Sequence, residues 1–299
     1  MNGTSLLRHK SLCEYICKQH QQKYNEGHRH GIGFATLFLA LCVTFRIVPS
    51  TCAAPIDGQK NHALYSKKTT MEGTQDSTSL RFKNCAELYK SGQKISGVYT
   101  IDPDGSDAFD VYCDQTTAGG GWEVFQKRFN GFVDFNRTWD DYKHGFGNFT
   151  GEFWLGLDKI YRLTRNETKN MLRVDLGKAT GETVHVEYSW FGIGSETAMY
   201  RLYIGNVTNA TVSFDSLGGH NYFDFGTWDR DSADCTQKRG GGWWYGKSKC
   251  AVWSNLNGIY PCCGNETGAN IHWDKLVSTS PKGGAPTSTE MKIRLVDFL

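Results

Sequence analysis

The 299-residue chain has almost no excess charge of either sign: 33 basic and 31 acidic residues leave a formal net charge of +2. That balance gives no footprint for nucleic acid, which needs a basic face, and it implies no acidic substrate. Proline is scarce, at 6 residues. There is no Gly-X-Y run, no apolar heptad and no internal repeat, so the sequence carries no collagen or coiled-coil stalk. No CxxC pair faces a second CxxC or an HxxxH at finger spacing, which argues against structural zinc. Nor is there a GxSxG, HExxH, GxxxxGKS/T or GxGxxG in a useful context. The carboxylates of Asp140 and Asp141 are adjacent in sequence, so on a helix or strand they diverge and make poor acid/base partners. His220 and His272 stand alone in Gly/aromatic loops and read as structural. With no assembled constellation, the protein is expected not to be an enzyme.

What is present is rich in rings, glycine and cysteine. The sequence has 9 Trp, 14 Tyr, 17 Phe, 34 Gly and 10 Cys. An even cysteine count beside an apolar N-terminal segment points to an oxidising compartment. Residues 1–30 are polar and carry Arg8, Lys10, Lys18, Lys23 and Arg29; residues 31–45 are apolar and uncharged; Arg46 and the small-residue run PSTCAAP follow. The apolar run is short of the roughly 20 residues that span a bilayer core. Residues 1–54 therefore read as a signal peptide cleaved around Cys52–Ala54. The alternative is a type II signal anchor with the basic tail inside. Residues 55–81, rich in Lys, Thr, Ser, Gln and Asp without apolar periodicity, read as a flexible linker. From Phe82 onward apolar residues alternate with polar ones, as in VHVEYSWFGIG and AMYRLYIGNV, which predicts strands; Asp140–Tyr142 and Gly156–Leu163 predict short helices. The rings of Trp122, Trp139, Trp154, Trp243, Trp244 and Trp253 are expected to be mostly core. NxS/T sequons at Asn136, Asn148, Asn166, Asn206, Asn209 and Asn265, with one more at Asn2, fit a secreted glycoprotein.

Several stretches resemble the fibrinogen C-terminal-like family: NCAELY at 84–89, GVY at 97–99, FDVYCD at 109–114 and GGGWEVFQKR at 119–128, followed by VDFNRTWDDYKHGFG at 133–147, GEFWLGL at 151–157, WWY at 243–245, SNLNGIY at 254–260 and TEMKIR at 289–294. The likeness runs in order over 82–299 and extends about equally to ficolins, tachylectins, angiopoietins and tenascin ends. It implies an α+β, mainly β fold. Its parts are a small disulfide-bonded N-terminal subdomain, a central twisted antiparallel sheet and a loop-rich C-terminal subdomain for calcium and ligand.

By that resemblance Cys85 pairs with Cys113 and Cys235 with Cys250. Cys262 and Cys263 have no counterpart and are open to Cys52 or to another molecule. The resemblance also implies Ca2+ at Asp229 and Asp231, with carbonyls of Ala233 and Cys235, in a loop shorter than usual; Asp234 offers an extra carboxylate. The implied ligand pocket comprises Arg239, Trp243, Cys250, Ala251 and Tyr260. Ala251 stands where lectin-like members have His, and the tyrosine before Trp243 is replaced near Lys238 and Arg239. Fewer rings and more positive charge, from Lys238, Arg239, Lys247 and Lys249, shift the pocket from an acetyl group toward an anionic glycan. The expected function is a secreted, calcium-assisted lectin of innate recognition. The alternative is a signalling or matrix-adhesion protein that binds a cell-surface protein receptor. A homo-oligomer, disulfide-linked or non-covalent, fits either, because one shallow site needs multivalency.

Overall fold

A computed structural model of the protein describes residues 81–165, 169–230, 235–246, 250, 253–260, 271–276 and 284–298. The expected signal or anchor segment at 1–54, all of the expected linker but its last residue, and Cys262 and Cys263 lie outside them. Among the described residues no helix is long and apolar enough to cross a membrane.

The N-terminal part opens with helix α1 (Cys85–Lys90), whose N-cap Asn84 accepts the Glu87 N–H on its side chain. The hairpin of β1 (Gly97–Ile101) and β2 (Phe109–Asp114) follows. A disulfide between Cys85 and Cys113 ties the helix to the hairpin. Strand β3 (Trp122–Arg128) leads to helix α2 (Trp139–His144), started by a capping box in which Thr138 and Asp141 each accept the other's N–H. The short pair β4 (Phe146–Gly147) and β5 (Phe153–Trp154) precedes helix α3 (Leu157–Thr164), which buries Leu157, Ile160, Leu163 and Thr164 on one face.

The long strands β6 (Asn170–Gly177) and β7 (Thr183–Ile193) form the sheet's middle, and β8 (Leu202–Ile204) and β9 (Val207–Ala210) pair in turn along the outer edge of β7. The C-terminal part holds β10 (Phe225–Gly226), α4 (Cys235–Arg239), β11 (Trp243–Trp244), β12 (Ser254–Asn255) and β13 (His272–Trp273). The backbone then returns as β14 (Ser288–Leu295), inserted between β3 and β6. The resulting order is β1-β2-β3-β14-β6-β7-β8, antiparallel throughout.

The two faces of this sheet differ in kind. On β6, Leu172, Val174 and Leu176 are buried in the main apolar cluster with Phe125, Phe191, Met291 and Ile293. The alternate residues carry charge. Lys292, with a side chain only 2% exposed, sits 2.8 Å from Asp114, 2.9 Å from Asp175 and 2.8 Å from Glu290. Lys127 pairs with Glu290 at 2.6 Å, and Arg173 bridges Asp175 at 2.8 Å and Glu187 at 2.6 Å. A bulge between Met291 and Lys292 shifts the register against β3 at the position where the lysine joins this network. Burial lowers the Lys292 pKa, but the three carboxylates more than reverse that and hold the ammonium charged.

Candidate functional site

Among the described residues the strand pairs of this C-terminal part, β10 with β11 and β12 with β13, are two residues long, so side chains supply the hydrogen bonds that ladders would. Asn255 Nδ2 donates to the Arg239 and Gly240 carbonyls, each at 2.9 Å; Asn257 Nδ2 donates to Gly242 O at 3.0 Å; and Tyr245 Oη lies 2.7 Å from Gly241 O. Gly241 has φ of +66°, and a Cβ there would overlap the Asn257 carbonyl oxygen, so only glycine fits. From the sheet, Gln126 Nε2 donates to Leu256 O at 2.8 Å and Arg128 Nη1 to Gly258 O at 2.8 Å. The Cys235–Cys250 disulfide closes this region.

His220, fully buried, is the hub. Its Nδ1 lies 2.8 Å from Trp244 O, and its Nε2 accepts the N–H groups of Trp253 and Ser254 at 3.2 Å each. These partners require the neutral tautomer with the proton on Nδ1. Burial pushes its pKa down to about 4, which keeps that tautomer. Below it, Trp243, Trp244, Phe225 and Trp154 pack as a ring cluster, with centroids 5.2 Å apart for the Trp pair and 5.4 Å for Phe225 and Trp244.

Glu152, 1% exposed, fixes the loop after β3. Its Oε1 accepts the N–H groups of Phe129, Asn130 and Gly131 at 2.8, 3.0 and 2.9 Å, and its Oε2 that of Val133 at 3.1 Å. Burial alone would raise its pKa; Arg128 and these donors lower it instead.

The expected ligand residues fall into different environments. Trp243 is fully buried, so its placement as a ligand contact is corrected: it is a wall of the core, because its ring fills the space between His220 and Trp244. Tyr260 is half-buried, its Oη 2.7 Å from Thr287 O and 2.9 Å from Phe129 O, so its single proton serves the scaffold. Arg239 is half-buried at the end of α4, Lys238 exposed beside it, and Cys250 is 4% exposed within its disulfide. Ala251, Lys247 and Lys249 lie outside the described residues, as do Asp231, Ala233 and Asp234 of the expected calcium loop.

Asp229, exposed, is the described carboxylate of that loop. Its Oδ1 accepts the Trp139 N–H at 2.9 Å and the Thr227 hydroxyl at 2.7 Å, which fastens the loop to the start of α2. Next to it the Arg230 guanidinium lies 4.1 Å over the Trp139 ring, and Glu196 accepts from Lys143 Nζ at 2.7 Å and Trp139 Nε1 at 3.0 Å. The Lys143 and Trp139 hydrogen bonds bring the Glu196 pKa down to about 2, so it stays ionised. Asp229 suits a cation ligand in chemistry and exposure, with one oxygen already positioned by the protein. Among the described residues no three His, Cys, Asp or Glu side chains gather as a metal cluster.

Large rings that sequence reasoning did not single out are exposed around these loops: Trp228 is 52% exposed and Tyr222 66%. Trp253, expected with the core tryptophans, is 38% exposed because it lies over Gly219 and edge-on to His220. Its exposure could not be read from sequence, since core and surface tryptophans share the same Gly-rich context. Of the sequon residues, Asn148, Asn206 and Asn209 are exposed and Asn136 is half-buried; Asn166 and Asn265 lie outside the described residues.

Residues 81–295 match the family model for the C-terminal globular domain of fibrinogen beta and gamma chains. Human angiopoietin-related protein 7 is 42% identical over 224 residues, covering 72% of this chain and 62% of that protein, so the likeness leaves more than a third of the relative unmatched. The fibrinogen-like globe domain of human ANGPTL6 superposes with a TM-score of 0.64 at 35% identity, covering 72% of this chain and 95% of that one. Lamprey fibrin D-dimer complexed with the peptide Gly-His-Arg-Pro-amide superposes with a TM-score of 0.63 at 26% identity, covering 77% of this chain and 79% of that one. With the family model matched over most of its length, and the antiparallel sheet, the central C-terminal strand and the stapled loop region all in place, the protein belongs to the fibrinogen C-terminal globular domain family.

Proposed function

We propose that this is an extracellular, non-catalytic recognition protein that binds a protein partner through its C-terminal loop face. The burial of Trp243 carries this reading over the small-sugar one. The ring that would line an acetyl pocket is core, and Tyr260 is held by two carbonyls, while Trp228, Trp253 and Tyr222 present broad apolar surface. Exposed tryptophan and tyrosine are the side chains that anchor protein interfaces. The peptide held by lamprey fibrin supports a polypeptide ligand. Calcium at Asp229 and Asp231, completed by the Ala233 and Cys235 carbonyls, would hold the loop that carries Trp228.

The test is binding of the secreted protein, with calcium, to cultured cells whose surface has been stripped in one of two ways. Trypsin treatment of the cells is expected to abolish binding, while enzymatic removal of their glycans leaves it intact; Trp228→Ala and Trp253→Ala weaken it. Binding that survives trypsin and vanishes with the glycans would replace this reading by the lectin one. Isothermal titration of calcium into the wild-type protein and into Asp229→Asn reads the ion separately: saturable heat in the first and none in the second is expected.

A further inference from the structure

Along the outer edge of β7 a row of three rings faces outward. Trp190 is 38% exposed and lies 6.2 Å from Tyr203, which lies 5.8 Å from Tyr222, itself 66% exposed. Tyr222 holds φ of 68°, a conformation unfavourable for an aromatic residue, and its N–H bonds to Leu202 O at 2.8 Å. The scaffold thus keeps a strained, exposed ring at the end of the row.

The other end of the row meets the turn that carries Asn206. Gly205 N–H donates to Trp190 O at 2.8 Å and Ser189 N–H to Asn206 O at 2.9 Å, so Asn206 is one residue from the strand position facing Trp190. A Cβ on Gly205 would overlap the Ser189 hydroxyl and lie 3.0 Å from the Trp190 nitrogen; the close approach brings the turn against the ring row. Asn206 opens the sequon Asn206-Val207-Thr208, is exposed, and its side-chain amide makes no hydrogen bond among the described residues. The neighbouring sequon differs: Asn209 sits within β9, opposite Glu187, and its Nδ2 donates to Glu187 Oε2 at 3.3 Å.

We infer that Asn206 carries an N-linked glycan whose innermost N-acetylglucosamine lies on Trp190 and Tyr203, so that this end of the row is covered by the protein's own sugar rather than by a partner. A pyranose ring has one face of C–H groups, which pack against the electron-rich face of an aromatic ring and remove apolar surface from water. The row starts beside the acceptor and runs away from it, so a sugar attached at Asn206 reaches the nearer rings without ordering a long tether.

The inference rests only on the extracellular part of the proposed function. The experiment is hydroxyl-radical footprinting of the full-length protein secreted from a mammalian host, alongside Asn206→Gln, with site occupancy read by glycopeptide mass spectrometry. Asn206 is expected to be occupied, and labelling of Trp190 and Tyr203 to rise at least twofold in Asn206→Gln while Trp228 is unchanged. Trimming all glycans to a single N-acetylglucosamine is expected to preserve the protection, because the first sugar makes the contact. Equal labelling in the two proteins overturns the inference, as does an unoccupied Asn206 in a protein glycosylated elsewhere. A product without glycan at any sequon would overturn the extracellular reading as well.

Discussion

Replacing Lys292 by methionine tests the charged face of the central sheet. The ammonium lies 2.8–2.9 Å from three carboxylates. At an effective dielectric near 20, each contact is worth about 6 kcal/mol of attraction, about 18 kcal/mol together. The variant has no buried ammonium to desolvate and its stranded carboxylates can take up protons, which offset most of that attraction and leave the range of about 3–5 kcal/mol seen when a buried ion pair loses one partner. For a domain of this size that corresponds to a Tm lower by about 6–20 °C. Asp114 suffers most. Lys127 still faces Glu290 and Arg173 still faces Asp175, whereas Asp114 keeps no cation and is left with the N–H groups and hydroxyls of Thr116 and Thr117.

The pH dependence carries a definite sign. In the wild type, burial raises the Asp114 pKa but Lys292 lowers it by more, so the pair's contribution is full above the ordinary carboxylate pKa and disappears as pH falls below it. Without the lysine the stranded carboxylates take up protons on folding, so the deficit is largest at neutral pH and shrinks toward pH 5. Guanidinium unfolding of wild type and Lys292→Met at pH 7.5 and 5.0 reads both effects. A deficit under about 1 kcal/mol at pH 7.5, which is the range of an exposed pair, or one that does not shrink at pH 5.0, would refute the reasoning.

His220, with a folded pKa near 4 against the ordinary 6.5, binds its proton in the unfolded state first, so stability is lost as pH falls through that window. The loss is on the order of 3 kcal/mol between pH 6.5 and 4, and His220→Gln should flatten that slope in a series of chemical melts. Glu123 has the opposite sign: burial raises its pKa to about 8 from 4.5, so the folded state holds a proton that the unfolded state releases, and stability falls as pH rises from 4.5 to 8. Glu123→Gln keeps an acceptor for the Cys85 N–H and should remove that slope while being no less stable than wild type at pH 8; a clear loss there would contradict it. Glu152→Ala strands four N–H groups and Arg128, and should cost about 3 kcal/mol or more. Amide exchange at residues 129–133 should accelerate, and unchanged protection there would count against the anchoring role.

Much of the fold was legible because its signals are local. The run around Asp140–Tyr142 became α2 through the Thr138 and Asp141 capping box, and GLDKIYRL became α3 with its apolar residues on one face. The VHVEYSWFGIG stretch lies in β7, and its ring residues Tyr188 and Phe191 are buried. The expected strand in AMYRLYIGNV is shorter than its alternation suggested. Met199 and Tyr200 take positive φ, and pairing begins only at Leu202, because β7 supplies a partner edge from there on. At the site, Asp229 stood out by its position, but its hold on the Trp139 N–H, 90 residues earlier, did not.

By itself the sequence determined the family, the broad class of mainly β domain and the residues suited to disulfide bonding and glycosylation. Each of these rests on a residue's own chemistry or on neighbours a few positions away. Only the tertiary structure decided that the last strand runs through the middle of the sheet, that Lys292 is enclosed by carboxylates from three strands, that Trp243 is core while Trp253 reaches the surface, and that Asn206 sits beside a row of rings. Those facts depend on which segments far apart in sequence become neighbours. Burial and partner identity are then set by the whole packed molecule, since a ring or a charge has the same local signature whether water or protein surrounds it.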